Sequence, residues 1–477
     1  MTDYDFSADA FSQPPVPMRS APGRALAPGR TPAFIQNDYP EFIDGDDPEL
    51  MTQPSVGSRS GDQMLGLSEY PGDFSAGQQT QQQTQQQQQR SSDGRAPSQS
   101  QRSQATSSFQ DVDLEQSAFP NKPLNMVCVG PSFQVGGVHQ HTLGLARFLN
   151  PSRVRLTRCF VTSDRPEHLP EPGSFPVPVE YCSMADLPKR TAKYDVVLAW
   201  GEGYNGRLES SGPLRVFLAH GESLWTRRGL EGSDQAVDHV IAVSQRVRDR
   251  VCEGFPTTTI LNGVDSARLG QTRPADDVRK QLGFGRDDFV IGSVGRFTRE
   301  KQMNLLIEAV ARLPHHFKLM LVGSGRREDE LMRLANERIP GRHAFIAAHD
   351  YLGDYYRAMD AFSLVSAHEG FGLVIPEAMM CERPVIVTNV GCVPEVIRDR
   401  INGIVVEPTS ASIAAAAQLL QAHPSWARGI AMEGQNFATR HLHAMRMAQQ
   451  YENLICNLHA RRHSNLHRES ASYGVAR

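Results

Sequence analysis

The chain has 477 residues, and its 49 Lys and Arg nearly balance its 53 Asp and Glu, which leaves a formal net charge of −4. This length predicts two or three structural parts, and no nucleic-acid partner is expected. The sequence contains no run of about 18 apolar residues, so no membrane-spanning helix is expected. Its acidic N-terminus also lacks the apolar core of a secretory signal.

The first 121 residues differ in composition from the rest of the chain. They contain no Cys and no Lys, and their 16 acidic residues outnumber their 7 basic residues. Such a segment cannot bury enough apolar surface to offset its chain entropy, so residues 1–121 are predicted to be disordered. Residues 78–89 are almost pure glutamine, a composition that permits self-association. The segment is therefore either a tether for assembly or a passive extension.

All seven cysteines follow this segment, and none of them forms a CxxC pair. Their odd number argues against a disulfide framework. A reducing environment fits this pattern best, so the chain is expected in the cytoplasm.

From residue 124 onward, short apolar runs alternate with helical patterns. The predicted strands are 125–129, 154–160, 195–200, 215–219, 239–244 and 258–261. Helices are predicted over 138–149 and 245–252. Strands that alternate with helices predict a parallel, doubly wound sheet, here in a domain that spans residues 122–268.

The same alternation restarts after a polar linker at 266–279. The second set of predicted strands is 289–294, 317–322, 344–347, 361–365, 385–387 and 404–406, with helices at 303–313 and after residue 325. This second domain spans 269–437, and a helix at about 438–458 follows it within the C-terminal segment 438–477. The predicted fold class is α/β, with two Rossmann-like domains facing a cleft. Ligands of such sheets bind beyond the carboxyl ends of the strands.

Two glutamates eight positions apart stand in a glycine-broken segment after the apolar run 361–366. Glu369 is expected on a loop at the carboxyl end of a strand, and Pro376 suits the first position of a new helix. Glu377 is then expected in the first helical turn, where free N–H groups and the positive dipole end favour a phosphate. A carboxylate at this place can accept hydrogen bonds from sugar or ribose hydroxyls.

Two cations follow the first predicted strand of the second domain. Arg296 ends that strand and Lys301 opens the next helix. Fixed cations stabilise the negative charge that a departing nucleoside diphosphate gains. An arginine can grip phosphate oxygens with two donors, while a lysine adds a point charge.

Glycines and histidines mark the part of the cleft that the first domain supplies. Gly136 and Gly137 let the main chain approach a phosphate closely, and the absence of GxGxxG argues against a dehydrogenase. His220 ends a predicted strand, where it either hydrogen-bonds a sugar hydroxyl or is a satisfied structural residue. His139 and His141 are weaker candidates on the acceptor side. The histidines show no metal-binding spacing, so no metal site is expected.

Together these motifs resemble the donor-sugar signature of retaining glycosyltransferases with the GT-B fold, in particular glycosyltransferase family 4 (group 1). The resemblance covers residues 124–455 and is strongest over 289–407. It implies that Glu369 holds the transferred sugar and that Glu377 binds the ribose hydroxyls. It also implies that Arg296 and Lys301 bind the diphosphate and that His220 faces the sugar. The remaining donor-binding residues implied by the resemblance are Gly136, Gly137, Gly295, Gly323, Gly370, Phe371, Gly372 and Leu373.

The resemblance implies a metal-independent transferase without a cofactor, which moves a sugar from a UDP- or GDP-linked donor to a hydroxyl of a glycan, lipid or small glycoside. In this family same-face attack, assisted by the leaving phosphate, would make Glu369 positional rather than covalent. Two alternatives stay open: a transferase-like binding or scaffold protein, and a nucleotide-sugar epimerase of the same fold. The sequence does not indicate the oligomeric state.

Further positions bear on specificity. Gln302, Glu382 and Cys392 stand where the family usually has glycine. Gln302 is a small departure, whereas Glu382 and Cys392 put the choice of donor in doubt more than the activity. Residues 262–265 resemble the family's N-G-V-D turn, and residues 342–350 lie where the family contacts the base.

The C-terminal end is basic. Its positive or titratable residues are His459, Arg461, Arg462, His463, His467 and Arg468. Such a charge can contact an anionic inner membrane face, and the alternative is a frayed, solvated terminus.

Overall fold

A computed structural model describes residue 120 and residues 122–133, 136–164, 169–170, 173–201, 212–231, 237–347 and 351–473, with no side-chain detail at 224–225 and 465–473. The segment predicted to be disordered, 1–121, lies outside the described residues except for Pro120. No helix within these ranges is both long and apolar enough to cross a membrane.

The first domain is built on a seven-stranded sheet in which neighbouring strands are parallel and lie in the order β3-β2-β1-β4-β5-β6-β7. The strands are β1 (Leu124–Gly130), β2 (Val154–Val161), β3 (Val179–Tyr181), β4 (Val196–Ala199), β5 (Leu214–Ala219), β6 (His239–Ala242) and β7 (Thr257–Thr259). All residues of β4, β5 and β6 are buried, because helices cover both faces of a parallel sheet.

The helices of this domain lie between its strands. They are α1 (Gly137–Phe148), α2 (Leu187–Thr191), α3 (Leu224–Leu230) and α4 (Gln245–Val251). Because α1 follows β1 and α4 follows β6, their N-terminal turns lie at the carboxyl edge of the sheet. This is the edge at which doubly wound sheets bind ligands.

The second domain repeats this plan with a six-stranded parallel sheet in the order β10-β9-β8-β11-β12-β13. Its strands are β8 (Phe289–Val294), β9 (Phe317–Val322), β10 (His343–Ile346), β11 (Ala361–Leu364), β12 (Val385–Val387) and β13 (Ile404–Val405). Its helices are α5 (Ala275–Gln281), α6 (Met303–Ala311), α7 (Glu328–Arg338), α8 (Gly353–Ala358), α9 (Val374–Met380), α10 (Val393–Val396), α11 (Ser410–Ala422) and α12 (Pro424–His441), after one 3-10 turn (Ser266–Leu269). The strand order reverses beside β8, so β11, which is distant in sequence, pairs with it.

The last helix, α13 (Ala444–Tyr473), packs against α1 of the first domain. Two ion pairs hold it there: Arg153 Nη1 lies 3.2 Å from Glu452 Oε2, and Arg462 Nη1 lies 2.7 Å from Asp238 Oδ2. The Arg153–Glu452 pair is buried, so removal of one partner would leave an uncompensated charge.

The structure confirms the predicted fold class of two doubly wound Rossmann-like domains. Every predicted strand is present, with its ends displaced by a residue or two at most. All seven cysteines are buried and free.

Three local predictions were wrong. Helix α9 begins at Val374, so Pro376 is its third residue and not its first, although Glu377 still lies in the first turn. The polar linker contains the 3-10 turn and helix α5. The predicted helix at 438–458 is interrupted, because the N–H of Val264 donates to Leu442 O at 2.8 Å and Val264 O accepts from the N–H of Ala444 at 3.0 Å. These bonds to another segment pull residues 442–444 out of the helix.

Candidate functional site

Glu369 lies on the loop between β11 and α9, and its side chain contacts Lys301 on the loop between β8 and α6. Glu369 Oε1 accepts hydrogen bonds from Lys301 Nζ and, at 2.8 Å, from Ser366 Oγ. The side chains of Lys301 and Glu369 are 14% and 10% exposed. Because β8 and β11 are neighbours in the sheet, the sheet brings these loops together at its carboxyl edge. The structure therefore pairs two of the side chains that the sequence assigned to the donor.

Arg296 lies in the same loop as Lys301 but is held more weakly. Its Nη2 atom is 3.5 Å from Glu300 Oε1, and half of its side chain is exposed. An exposed pair of this kind contributes little to stability, so the guanidinium can exchange its partner at low cost. Arg296 is thus available to an anionic ligand at this edge.

The backbone of two neighbouring loops closes tightly beside these cations. A Cβ placed on Gly323, at the end of β9, would lie 1.9 Å from the carbonyl oxygen of Gly295. Any side chain at residue 323 would therefore force apart the loops that follow β8 and β9. Gly295 and Gly323 act here as close-packed backbone at the mouth of the sheet.

Glu377 is buried more deeply than the sequence suggested, with 2% of its surface exposed. Its Oε1 accepts from Arg268 Nη1 at 2.9 Å, and its Oε2 accepts from Tyr356 Oη at 2.8 Å. Burial, and secondarily the Glu377 carboxylate, raises the pKa of Tyr356 well above its usual value, so its hydroxyl stays a donor. Both carboxylate oxygens thus have protein partners, and a ribose hydroxyl would share one of them. The ribose role of Glu377 stays a prediction.

On the side of the first domain, His220 follows β5 and is packed among aromatic rings. Its ring centroid lies 5.1 Å from that of His141 and 5.9 Å from that of Trp200. Its Nε2 is buried without a hydrogen-bond partner among the described residues. Burial, and secondarily His141, lowers the pKa of His220 well below its usual value. The imidazole is therefore neutral at neutral pH and can still accept or donate one hydrogen bond.

The two weaker histidine candidates have internal partners. His141 Nδ1 lies 2.8 Å from Asn262 Oδ1 of the N-G-V-D turn, and burial lowers the pKa of His141 to about 4. His139 Nδ1 lies 2.9 Å from the carbonyl oxygen of Phe133. Both rings support the fold around His220, and their acceptor-side role stays a prediction.

The glycine loop of the first domain faces the donor loop of the second domain. A Cβ on Gly137, the first residue of α1, would lie 4.0 Å from Leu373 Cδ1. A Cβ on Gly370 would lie 1.8 Å from the carbonyl oxygen of His220. These contacts bring residues 136–137, His220 and the segment 370–373 together at one place, with Phe371 buried beneath it.

Sequence reasoning missed three side chains that hold the two glutamates. Ser366 ends the predicted apolar run three residues before Glu369, so its position was a usable signal. Arg268 and Tyr356 lie 109 and 21 positions from Glu377, and no local pattern marks them.

Two further predictions concern metals and the C-terminal end. Within the described ranges no group of three or more His, Cys, Asp or Glu side chains is arranged to hold a metal ion. Arg462 donates to Pro213 O and Asp238, so its charge is already bound within the protein. The side chains of His467 and Arg468 lie outside the described residues.

Comparison with known proteins shows which family this chain resembles. Residues 274–425 match the family model described as glycosyl transferases group 1. The chain is 30% identical over 236 residues to the lipopolysaccharide core biosynthesis mannosyltransferase LpsB of Rhizobium meliloti (strain 1021). This match covers 46% of this chain and 66% of LpsB. It is 30% identical over 186 residues to the N-acetyl-alpha-D-glucosaminyl L-malate synthase of Bacillus anthracis, with 38% of this chain and 48% of that protein covered. The chain thus spans about half to two thirds of these curated relatives.

Among solved structures, the chain is similar to Anabaena Alr3699/HepE in complex with UDP and glucose. The TM-score is 0.59 at 21% sequence identity, and the match covers 70% of this chain and 99% of HepE. At this identity the similarity concerns the fold, and it agrees with the two-domain architecture described above.

Proposed function

Because this chain belongs to the group 1 glycosyltransferases with the GT-B fold, we propose that it transfers a sugar from a nucleoside diphosphate sugar to an acceptor hydroxyl with retention of configuration. The observation that carries this proposal is the contact between Lys301 and Glu369 at the carboxyl edge of the second sheet. This contact places a cation for the diphosphate and a carboxylate for the sugar side by side.

In the proposed reaction the bond between the anomeric carbon and the diphosphate oxygen breaks as negative charge builds on the diphosphate. Arg296 and Lys301 stabilise this charge, which lowers the barrier because they are already in place. The acceptor oxygen attacks from the same face, and its proton passes to the departing phosphate. Because these two fixed cations neutralise the charge on the diphosphate, turnover is expected to continue when divalent metals are chelated.

Glu369 and His220 would hold the sugar rather than react with it. Glu369 is anchored by Lys301 and Ser366, which leaves its remaining lone pairs to accept from sugar hydroxyls. The neutral His220 lies against the same loop, and its buried Nε2 has no hydrogen-bond partner in the described part of the chain. A sugar hydroxyl would satisfy that atom, whose desolvation is otherwise uncompensated.

The relatives narrow the proposed substrates. HepE is solved with UDP and glucose, which supports a UDP-linked donor, while the mannosyltransferase name of LpsB keeps mannose open as the transferred sugar. The name of LpsB also favours a saccharide acceptor over a small glycoside. A cytoplasmic location at a membrane face is a further proposal, for which the exposed Arg461 could supply part of the charge.

A panel of UDP-, GDP- and ADP-sugars tests the proposal. We expect one donor class to raise the melting temperature of the full chain and to release its nucleotide slowly without an acceptor. The product should retain the anomeric configuration of the donor. Absence of any nucleotide binding would favour the scaffold alternative, and epimerised free donor without an acceptor would favour the epimerase alternative.

A further inference from the structure

The loop that carries Glu369 is interlocked with a second loop of the same domain, between β12 and α10. The N–H of Cys392 donates to Phe371 O at 3.0 Å. A Cβ on Gly391 would lie 2.6 Å from the same carbonyl oxygen and 2.9 Å from Glu369 Cβ. The segments 369–372 and 389–392 are therefore packed tightly together, and we call them the donor-loop pair.

The N-terminal turn of α4 holds this donor-loop pair from the other domain. Ser244 Oγ donates to Gly370 O at 3.0 Å, and Ser244 is fully buried. The N–H of the following residue, Gln245, donates to Glu395 Oε1 in α10, the helix that follows the second loop. Arg246 Nη1 donates to Asn389 O of the second loop at 3.3 Å. Three consecutive residues of the first domain thus contact the two loops and the helix α10 of the second domain.

Ser244 has two separate tasks. Its Oγ accepts from the N–H of Val247 at 3.2 Å and so caps α4, which is the usual work of an N-cap serine. Its hydroxyl proton is then free for Gly370 O, one residue after Glu369. Because Ser244 itself is buried, loss of its hydroxyl leaves the Gly370 carbonyl without its cross-domain partner.

We infer that Ser244 and Glu395 are positioning residues, through which the first domain sets the place of Glu369 for sugar transfer. We expect neither side chain to contact the donor. The inference rests on the proposed function for its kinetic consequence, but the contact between the domains is a property of the chain itself.

The chemistry of Glu395 adds a pH dependence to this contact. Burial raises the pKa of Glu395 to about 7, against the opposing effect of the N–H groups of Gln245 and Arg246 and with a small addition from Asp249. The thiol of Cys392 also faces this carboxyl. A raised pKa means that the docked arrangement favours the protonated form. Docking is therefore strongest below the ordinary pKa of 4.5, weakens as the pH rises from there to about 7, and changes no further above 7.

The decisive variant is Ser244→Ala, with Thr409→Ala as the matched control. Thr409 caps α11 in the same way, by accepting from the N–H of Ser412. We expect Ser244→Ala to lower kcat about tenfold, as for one lost buried hydrogen bond, while the affinities for UDP and GDP stay unchanged. Ser244→Thr, which keeps the hydroxyl, should restore most of the activity. Thr409→Ala should leave kcat unchanged, although its melting temperature should be similar to that of Ser244→Ala.

Two readouts keep the inference distinct from the proposed function. Amide hydrogen exchange over 369–372 should be faster in Ser244→Ala than in Thr409→Ala, whether or not the chain is a transferase. In the wild type kcat should fall as the pH rises from about 4.5 to about 7, and Glu395→Gln should flatten that profile. Unchanged exchange and unchanged kcat in Ser244→Ala would overturn the inference. Failure of every nucleotide to bind the wild type would overturn the proposed function alone.

Discussion

Replacement of Glu369 by alanine separates the positioning of the sugar from the binding of the nucleotide. The carboxylate accepts from Lys301 and Ser366, and loss of one preorganised polar contact at a reacting centre lowers kcat by about 10²- to 10³-fold. We expect a loss of at least this size in sugar transfer. Lys301 would lose its carboxylate partner in the free protein, which leaves its charge available to phosphate. Diphosphate affinity should therefore stay unchanged or become tighter.

Calorimetric titration with UDP and GDP measures the affinity, and release of nucleotide with and without an acceptor measures turnover. Glu300→Ala is the matched control, because Glu300 is a carboxylate in the neighbouring loop that pairs with Arg296; among the described side chains it forms no hydrogen bond or ion pair with Glu369. Ser366→Ala should give an intermediate loss, since it removes only the 2.8 Å hydrogen bond that orients Glu369. Equal, small effects of Glu369→Ala and Glu300→Ala would contradict a role of Glu369 in holding the sugar, and so would a Glu369→Ala protein that no longer binds nucleotide.

Three further predictions follow from the same contacts. Arg296→Ala and Lys301→Ala should each weaken binding of UDP or GDP by about tenfold or more, as expected for a charge-assisted contact with phosphate, and titration calorimetry would contradict this if affinity stayed the same. Tyr356→Phe should lower the free energy of unfolding by about 2 kcal/mol in urea denaturation, because the buried Glu377 carboxylate loses a donor. Nucleotide affinity should change little. An unaltered free energy of unfolding would show that this hydrogen bond contributes nothing to stability. Because burial lowers the pKa of His141 to about 4, the free energy of unfolding should fall as the pH drops from about 6.5 towards 4, by about 3 kcal/mol in total. If the free energy of unfolding of His141→Gln falls with pH as steeply as that of the wild type, His141 is excluded as the cause.

Much of the fold could be predicted from local patterns. Apolar runs such as 289–294 and 317–322 match β8 and β9 residue for residue, because a strand buried on both faces needs a continuous apolar run. The order of strand, loop and helix then placed Arg296, Lys301 and Glu369 at the ends of strands. The interrupted helix near residue 442 could not be foreseen, since its cause is a hydrogen bond to Val264, far away in the chain.

Within the site, local sequence patterns are enough to place the residue types at the carboxyl ends of the strands, because strand ends and glycine turns are local properties. Which of these residues meet depends on the packing of the whole molecule. The pairing of β8 with β11 brings Lys301 to Glu369 across 68 positions, and packing buries Glu377 against Arg268 across 109. Ser244 reaches Gly370 from the other domain across 126 positions. Such partners are selected by the packing of whole sheets and helices, and the energy of that packing depends on distant residues that no short pattern contains.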